Sequence, residues 1–468
     1  MTQPLLNVLC AIVLLGLLSG CANYGLLDSQ ASFVSGSLED SVTKINKYAE
    51  QNTKGNNVVI AHLEKGMIHR VAGDLQTSNE AFGVADKAID LYDEQAAIQL
   101  SANIAAMLTN QTALPYRGKN YDRIMLSTYR ALNFMEMGDF DSARVELNRA
   151  RQRQRDAVAR NAKRIEQIEA EAEKIAARND YNFDQSVKDP GFRSRLREVY
   201  GDLDQYSAYE LYVNPFCEWL QGVYFLHTGY DPSDIEQARF ALKRTVGLMP
   251  DNPFLIEDLN HADRAASGAS VQPITYVIFE TGTAPRREEI SINIPIFLVD
   301  DGELPYVGAA FPYLERNPNY IRYLDVNASG SSYRTSRLAN IDAIVTQEFQ
   351  QELPLIIART LITTATKAIK SYVTNKAAQD EEEWVEVFVK IANIVYDAGT
   401  NEADLRTWAT LPKEFQYARF DTPANGMIAI VSETGVPARV EVEPKKTNLV
   451  LIRSFNIDVP LKVSVVSF

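Results

Sequence analysis

The chain has 468 residues, a net charge of −14 and three cysteines. That length suggests two or three domains, and the acidic balance is a poor match for nucleic acid or an anionic membrane surface. Cys10, Cys21 and Cys217 form no CxxC pair, which excludes the usual metal-ribbon and redox motifs.

Residues 5–18, LLNVLCAIVLLGLL, are apolar except for Asn7. As a helix of roughly 20 Å they are too short for a hydrocarbon core of about 30 Å. The run has the length of a secretory signal core and ends in the small residues Ser19 and Gly20. Leu18-Ser19-Gly20-Cys21 resembles the lipobox of bacterial lipoproteins, although the leading MTQP carries no Lys or Arg. The resemblance implies a signal peptide over 1–20, cleavage between Gly20 and Cys21, a diacylglyceryl group on the Cys21 sulfur and acylation of the new amino terminus. Three acyl chains, at about 0.8 kcal/mol per buried methylene, make such an anchor permanent. Ala22, standing where Asp would retain a Gram-negative lipoprotein, implies the outer membrane, with the body expected on the periplasmic face and surface exposure as the alternative. Cys217, in the apolar stretch NPFCEWLQGVYF, then remains as a core thiol. Residues 21–37 read as a polar, lipidated tether.

From 38 to 264 the chain reads as an all-α domain with an internal repeat. Gly73-Asp74 is followed by Ser78, Phe82 and Ala85 at five, nine and twelve residues past the glycine. Gly138-Asp139 is followed by Ala143, Leu147 and Ala150 at the same offsets. A third copy has Gly222 seven residues before Gly229, then Ala238, Leu242, Thr245 and Pro250 once a four-residue insertion is removed. The physical logic is a glycine closing one helix in the left-handed region, an aspartate capping the next, and small residues permitting close approach. These segments resemble degenerate tetratricopeptide repeats. The resemblance implies a solenoid whose concave face holds a peptide or partner helix.

Between the second and third copies, about 141–178 reads as one long helix, with Val158, Ala162, Ile165, Ile168, Ala172 and Ile175 on one stripe. Its arginines (149, 151, 153, 155) precede its glutamates (166, 169, 171, 173). The charges read as pairing along a solvated helix, with phosphate or lipid A as the alternative contact for the arginines.

At RAASGASVQP the pattern changes to β. ITYVIFE and EISINIPIF read as two strands of a hairpin, and GELPYVGAAFPYLERNPNY as a proline-bearing loop or edge. Helical periodicity returns within 336–398, and five short strands close the chain. The expected fold is α+β: an all-α TPR-like solenoid, then a β-sandwich or small barrel in two parts, 265–335 and 399–468, around a helical insertion over 336–398. The stretches FETGTAPRREEISINIP and LRTWATLPKEFQYARF, with the repeats before them, resemble a family of bacterial TPR-bearing lipoproteins without an assigned activity. That likeness implies cell-envelope or cell-wall work.

His62, His69, His227 and His261 form no HExxH or HxH pattern, and no GxSxG, P-loop or GxGxxG is present. Asp300 and Asp301 lie beside Gly302 without the rest of a calcium loop. Glu280, Glu288 and Glu289 bracket the first strands, and no residue is assigned a catalytic, cofactor or metal role. The expected function is an outer-membrane-anchored scaffold or adaptor that binds an envelope protein, without nucleic acid. The alternative is an enzyme or glycan-binding module acting on cell wall or surface polysaccharide through the β domain.

Overall fold

The computed structural model describes residues 24–98, 114–157, 159, 181–205, 212–297, 303–376, 403–435 and 437–468. Gly20, Cys21, Asp300, Asp301 and most of the expected long helix therefore lie outside the described residues.

The helical half contains α1 (Tyr24–Val34), α2 (Leu38–Gln51), α3 (Val58–Ala72), α4 (Leu75–Ile98) and α5 (Asn120–Glu136). A further helix, α6, runs over 140–157. After these come α7 (Phe183–Lys188), α8 (Pro190–Tyr200), α9 (Pro215–Thr228), α10 (Pro232–Leu248) and α11 (Pro253–Ala266). The three sequence repeats are the hairpins α3–α4, α5–α6 and α9–α10.

The first two turns are the same motif. Gly73 (φ 87°) and Gly138 (φ 77°) are left-handed. The Gly73 and Asp74 amides donate to Arg70 O and His69 O, and the Gly138 and Asp139 amides to Met135 O and Phe134 O, which is the Schellman pattern. Each aspartate then caps the next helix: Thr77 N donates to Asp74 Oδ1 and Ser142 N to Asp139 Oδ1, both at 3.0 Å. The third turn differs from expectation. Gly229 is extended (φ −63°, ψ 141°), and the cap passes to Asp231 within the inserted residues, which accepts from the Ser233 and Asp234 amides. Gly229 serves there by close approach, since a Cβ would stand 2.5 Å from Phe225 O.

Inside each hairpin the small residues do what their spacing suggests. A Cβ on Gly66 would lie 2.4 Å from the Phe82 ring, and one on Gly222 would lie 2.6 Å from Leu242 Cγ. The equivalent pair in the second repeat, Ala131 and Leu147, is fully buried. Ala143 and Ala238, and Ala85, Ala150 and Thr245, are buried at their shared offsets, whereas Pro250 is exposed beyond the end of α10.

Residues 24–34 depart from the expected tether. They form α1, with Leu26 and Phe33 buried and Phe33 packed on Phe455 at 4.5 Å between ring centroids. Two apolar side chains on one helical face gain more from the core than from water.

The β half contains β1 (Ile274–Thr281), β2 (Arg286–Phe297), β3 (Glu303–Glu315), β4 (Leu324–Ala328), β5 (Ser331–Arg334) and β6 (Ser336–Asn340). Helix α12 (Ile341–Lys376) follows, and then β7 (Glu414–Asp421), β8 (Met427–Ser432), β9 (Pro437–Glu441), β10 (Asn448–Ser454) and β11 (Lys462–Ser467). The strands form sheets ordered β11-β10-β1-β7-β6, β5-β4-β8-β9 and β2-β3. The β1–β2 hairpin does not form. β1 is buried along its whole length and lies between parallel β10 and antiparallel β7, the position that a continuous apolar run favours. β2 pairs with β3, the segment expected to be a loop or edge. Prolines 305 and 312 are tolerated because a two-stranded ribbon consists only of edges. The expected helical insertion opens with strand β6, because 336–340 completes the edge beside β7 before α12 begins.

The five-stranded sheet packs on both faces. Val277, Phe279, Val450 and Ile452 share a core with Val326, Ile428, Ile430 and Val440 of the four-stranded sheet. Tyr276, Ile278, Tyr417, Leu449 and Leu451 join the core built by the repeat helices.

Candidate functional site

The first helix of every repeat is directed at the β half. On α3, the fully buried Glu64 accepts from Ala409 N at 2.8 Å and from Gln30 Nε2 at 2.6 Å, and is also bonded by the Thr410 hydroxyl. On α5, Tyr129 donates to Glu280 Oε2 at 2.9 Å. On α9, Phe216 stacks on Phe415 at 3.9 Å between centroids, and Trp219 packs against Tyr276 and Tyr417. The first-helix face, where the repeat resemblance places a partner, is thus filled by the chain's own sheet and by the segment preceding β7.

The two family-like stretches meet here. Arg453 donates to the carbonyls of Glu280, Gly282, Ser454 and Thr410. Trp408 packs on Phe82 and Tyr129. Arg406 pairs with Asp404 at 2.7 Å and donates to Leu114 O at 2.9 Å. Arg287 and Lys119 both pair with Glu352 of α12, at 2.8 and 2.7 Å. One turn away, Glu348 accepts from Asn120 N at 2.8 Å and Tyr121 N at 3.2 Å. It caps the start of α5 from a different part of the chain.

Burial sets the ionisation of these groups. It pushes the Glu64 and Glu348 carboxyls up to about 7, outweighing the donors that favour the charged form. Asp404 goes the other way, to about 2, because the adjacent Arg406 overcomes its burial. Glu288 and Glu289 do not converge with Glu280: Glu288 pairs with Arg286 at 3.2 Å and Glu289 accepts from Ala403 N.

Beside this junction lies a cleft of about 580 Å³ between α1, the start of β2 and the end of β3. Its amides are already engaged. Gln30 holds Glu64, Asn317 donates to Thr283 Oγ1, and Asn456 donates to Val34 O. Arg286 is paired with Glu315 at 2.6 Å.

His62 and His69 lie buried on α3, and the structure brings together His227 and His261, with ring centroids 5.6 Å apart. His227 bridges Tyr276 and Thr447, and His261 accepts from Gln272 N. Burial pushes their pKa values down to about 3 and about 4, so both are neutral packing groups near pH 7. Cys217 is buried, with its thiol pushed up to about 12. Among the described residues no cluster of three or more His, Cys, Asp or Glu is arranged for a metal, and no helix is long and apolar enough to cross a membrane.

The arginines of α6 reach neighbouring helices as well as their own, where Arg149 meets Glu146 at 3.3 Å. Arg149 and Arg153 pair with Asp86 of α4, and Arg144 with Asp234 of α10. The second helices leave apolar side chains outward: Val145 and Phe240, at equivalent repeat positions, are 58% and 65% exposed.

No protein-family model matches the chain, and neither does any curated protein. What stands is the architecture, a run of repeated helical hairpins followed by helices and mixed sheets.

Proposed function

We propose that the protein is a lipid-anchored scaffold of the bacterial envelope, held to the outer membrane through Cys21 on the periplasmic side. The observation that carries this reading is the self-occupied first-helix face. It makes solenoid and sheet one body and leaves the second helices, with Val145 and Phe240, as the face a partner protein reaches. Cys21 precedes Tyr24 by three residues, a reach of about 10 Å. With α1 docked, the anchor holds the body close to the lipid surface instead of on a long leash. The alternative, a glycan-binding or hydrolytic module, would use the cleft beside α1, whose amides are spent on internal bonds.

The test is site-specific photo-crosslinking from Phe240 in intact cells, compared with Cys21→Ser. Capture of one recurrent envelope protein, lost or reduced when the anchor is removed, supports the scaffold. Recovery of glycan fragments alone, with probes in the cleft but not at Phe240, overturns it in favour of the alternative.

A further inference from the structure

Among the described residues β11 is an outer strand of the five-stranded sheet, paired with β10 alone. Thr447 and Phe468 exchange both of their main-chain bonds at 3.0 Å, which sets the phase of the β10–β11 ladder. By the register, Val466 opposite Leu449 and Ser464 opposite Leu451 are the bonded pairs, while Val465 opposite Val450 and Val463 opposite Ile452 are the non-bonded ones. The N–H and C=O groups of Val463 and Val465 therefore point away from the sheet, and no main-chain partner meets them among the described residues. Both side chains are also more than a third exposed, at 38% and 37%.

The other outer strands of the five- and four-stranded sheets are defended. β9 begins at Pro437 and carries Arg439 and Glu441; β5 has four residues and ends in Arg334; β6 is bulged between Arg337 and Ala339. Proline, charge, shortness and bulges are how proteins blunt sheet edges. β11 has none of these beyond Lys462 at its start.

We propose that β11 is a docking site for an extended segment of a partner protein, which continues the five-stranded sheet by main-chain hydrogen bonding and covers Val463 and Val465 with apolar residues at alternate positions. A second copy is disfavoured as the occupant, because each chain carries a net charge of −14 and an isologous edge pairing would bring two such bodies together. The segment is accordingly neutral or basic. This inference stands independently of the lipid anchor and of the second-helix face.

The test uses the full chain from residue 22 and a labelled peptide with the β10 sequence NLVLIRSF, followed by fluorescence anisotropy and amide exchange. Saturable binding that protects the Val463 and Val465 amides, and weakens at least tenfold in Val465→Pro, is the expected result. Proline at 465 removes only an outward donor, so the ladder to β10 stays intact; Val463→Lys with Val465→Lys gives the same answer without proline. Absence of binding to the wild-type chain, or equal binding to both variants, overturns the proposal. So does protection of the two amides without peptide that grows with protein concentration, which would make the occupant a second copy.

Discussion

Tyr129, on the first helix of the second repeat, donates its phenolic hydrogen to Glu280 at the end of the first strand of the sheet, 2.9 Å away. Both residues are buried, and Glu280 also lies within the field of Arg70 and Arg453. A neutral donor thus shares a carboxylate with two cations at the seam between the two halves.

Tyr129→Phe is expected to lower stability by about 1.5–3 kcal/mol, the usual range for a buried bond to a charged group. Glu280→Ala should lower it by about 3–5 kcal/mol, because Arg453 is left buried without its counter-charge. Urea unfolding of the chain from residue 22 measures both. A loss below about 0.5 kcal/mol in Tyr129→Phe would show that the bond does not hold the seam.

Gly66→Ala tests the repeat packing through its sign. In an open helix interior, alanine is favoured over glycine by about 1 kcal/mol. Here the added Cβ meets the Phe82 ring, so the change should destabilise by about 1–3 kcal/mol. Combining it with Phe82→Leu should recover part of that loss. Stabilisation by the single change would mean that α3 and α4 are farther apart than the structure places them.

The pH dependence follows from Glu64. Its carboxyl is raised from an ordinary 4.5 to about 7 in the folded protein. The folded state therefore holds a proton that the unfolded chain has released. Its contribution is complete below about 4.5 and is lost as pH rises through about 7. Glu64→Gln should remove this component, so the Tm difference between wild type and variant should shift against the wild type between pH 5 and pH 8. A pH-independent difference would show that Glu64 is ionised throughout.

Cys217 should resist alkylation in the folded protein. Its buried thiol, raised to about 12, presents almost no thiolate at pH 8. In the chain from residue 22, where Cys217 is the single thiol, iodoacetamide labelling should track global unfolding in urea. Rapid labelling without denaturant would place Cys217 at the surface.

Much of the helical half was legible because its rules are local. A glycine and an aspartate at the head of a fixed pattern of small residues specify a Schellman turn, a cap and a close helix pair within about thirty residues of chain. Gly73, Gly138, Asp74 and Asp139 behave accordingly. The third turn kept its packing positions but lost its left-handed glycine, because four inserted residues moved the cap to Asp231. The junction was not legible in this way. Glu64 and Thr410 are 346 positions apart, and Glu348 and Asn120 are 228 apart; no spacing announces such pairs, and each residue alone reads as an ordinary surface polar group.

The sequence by itself determined the repeated hairpins and the apolar strands, since helix caps and periodicity act over a few residues. Only the tertiary structure decided that β1 leaves its neighbour β2 to lie between β10 and β7, that 24–34 docks, and that the first-helix face is closed by the sheet. Those outcomes depend on which distant surfaces bury the most apolar area while giving buried groups such as Glu64 and Arg453 hydrogen-bond partners, a balance struck over the whole chain at once.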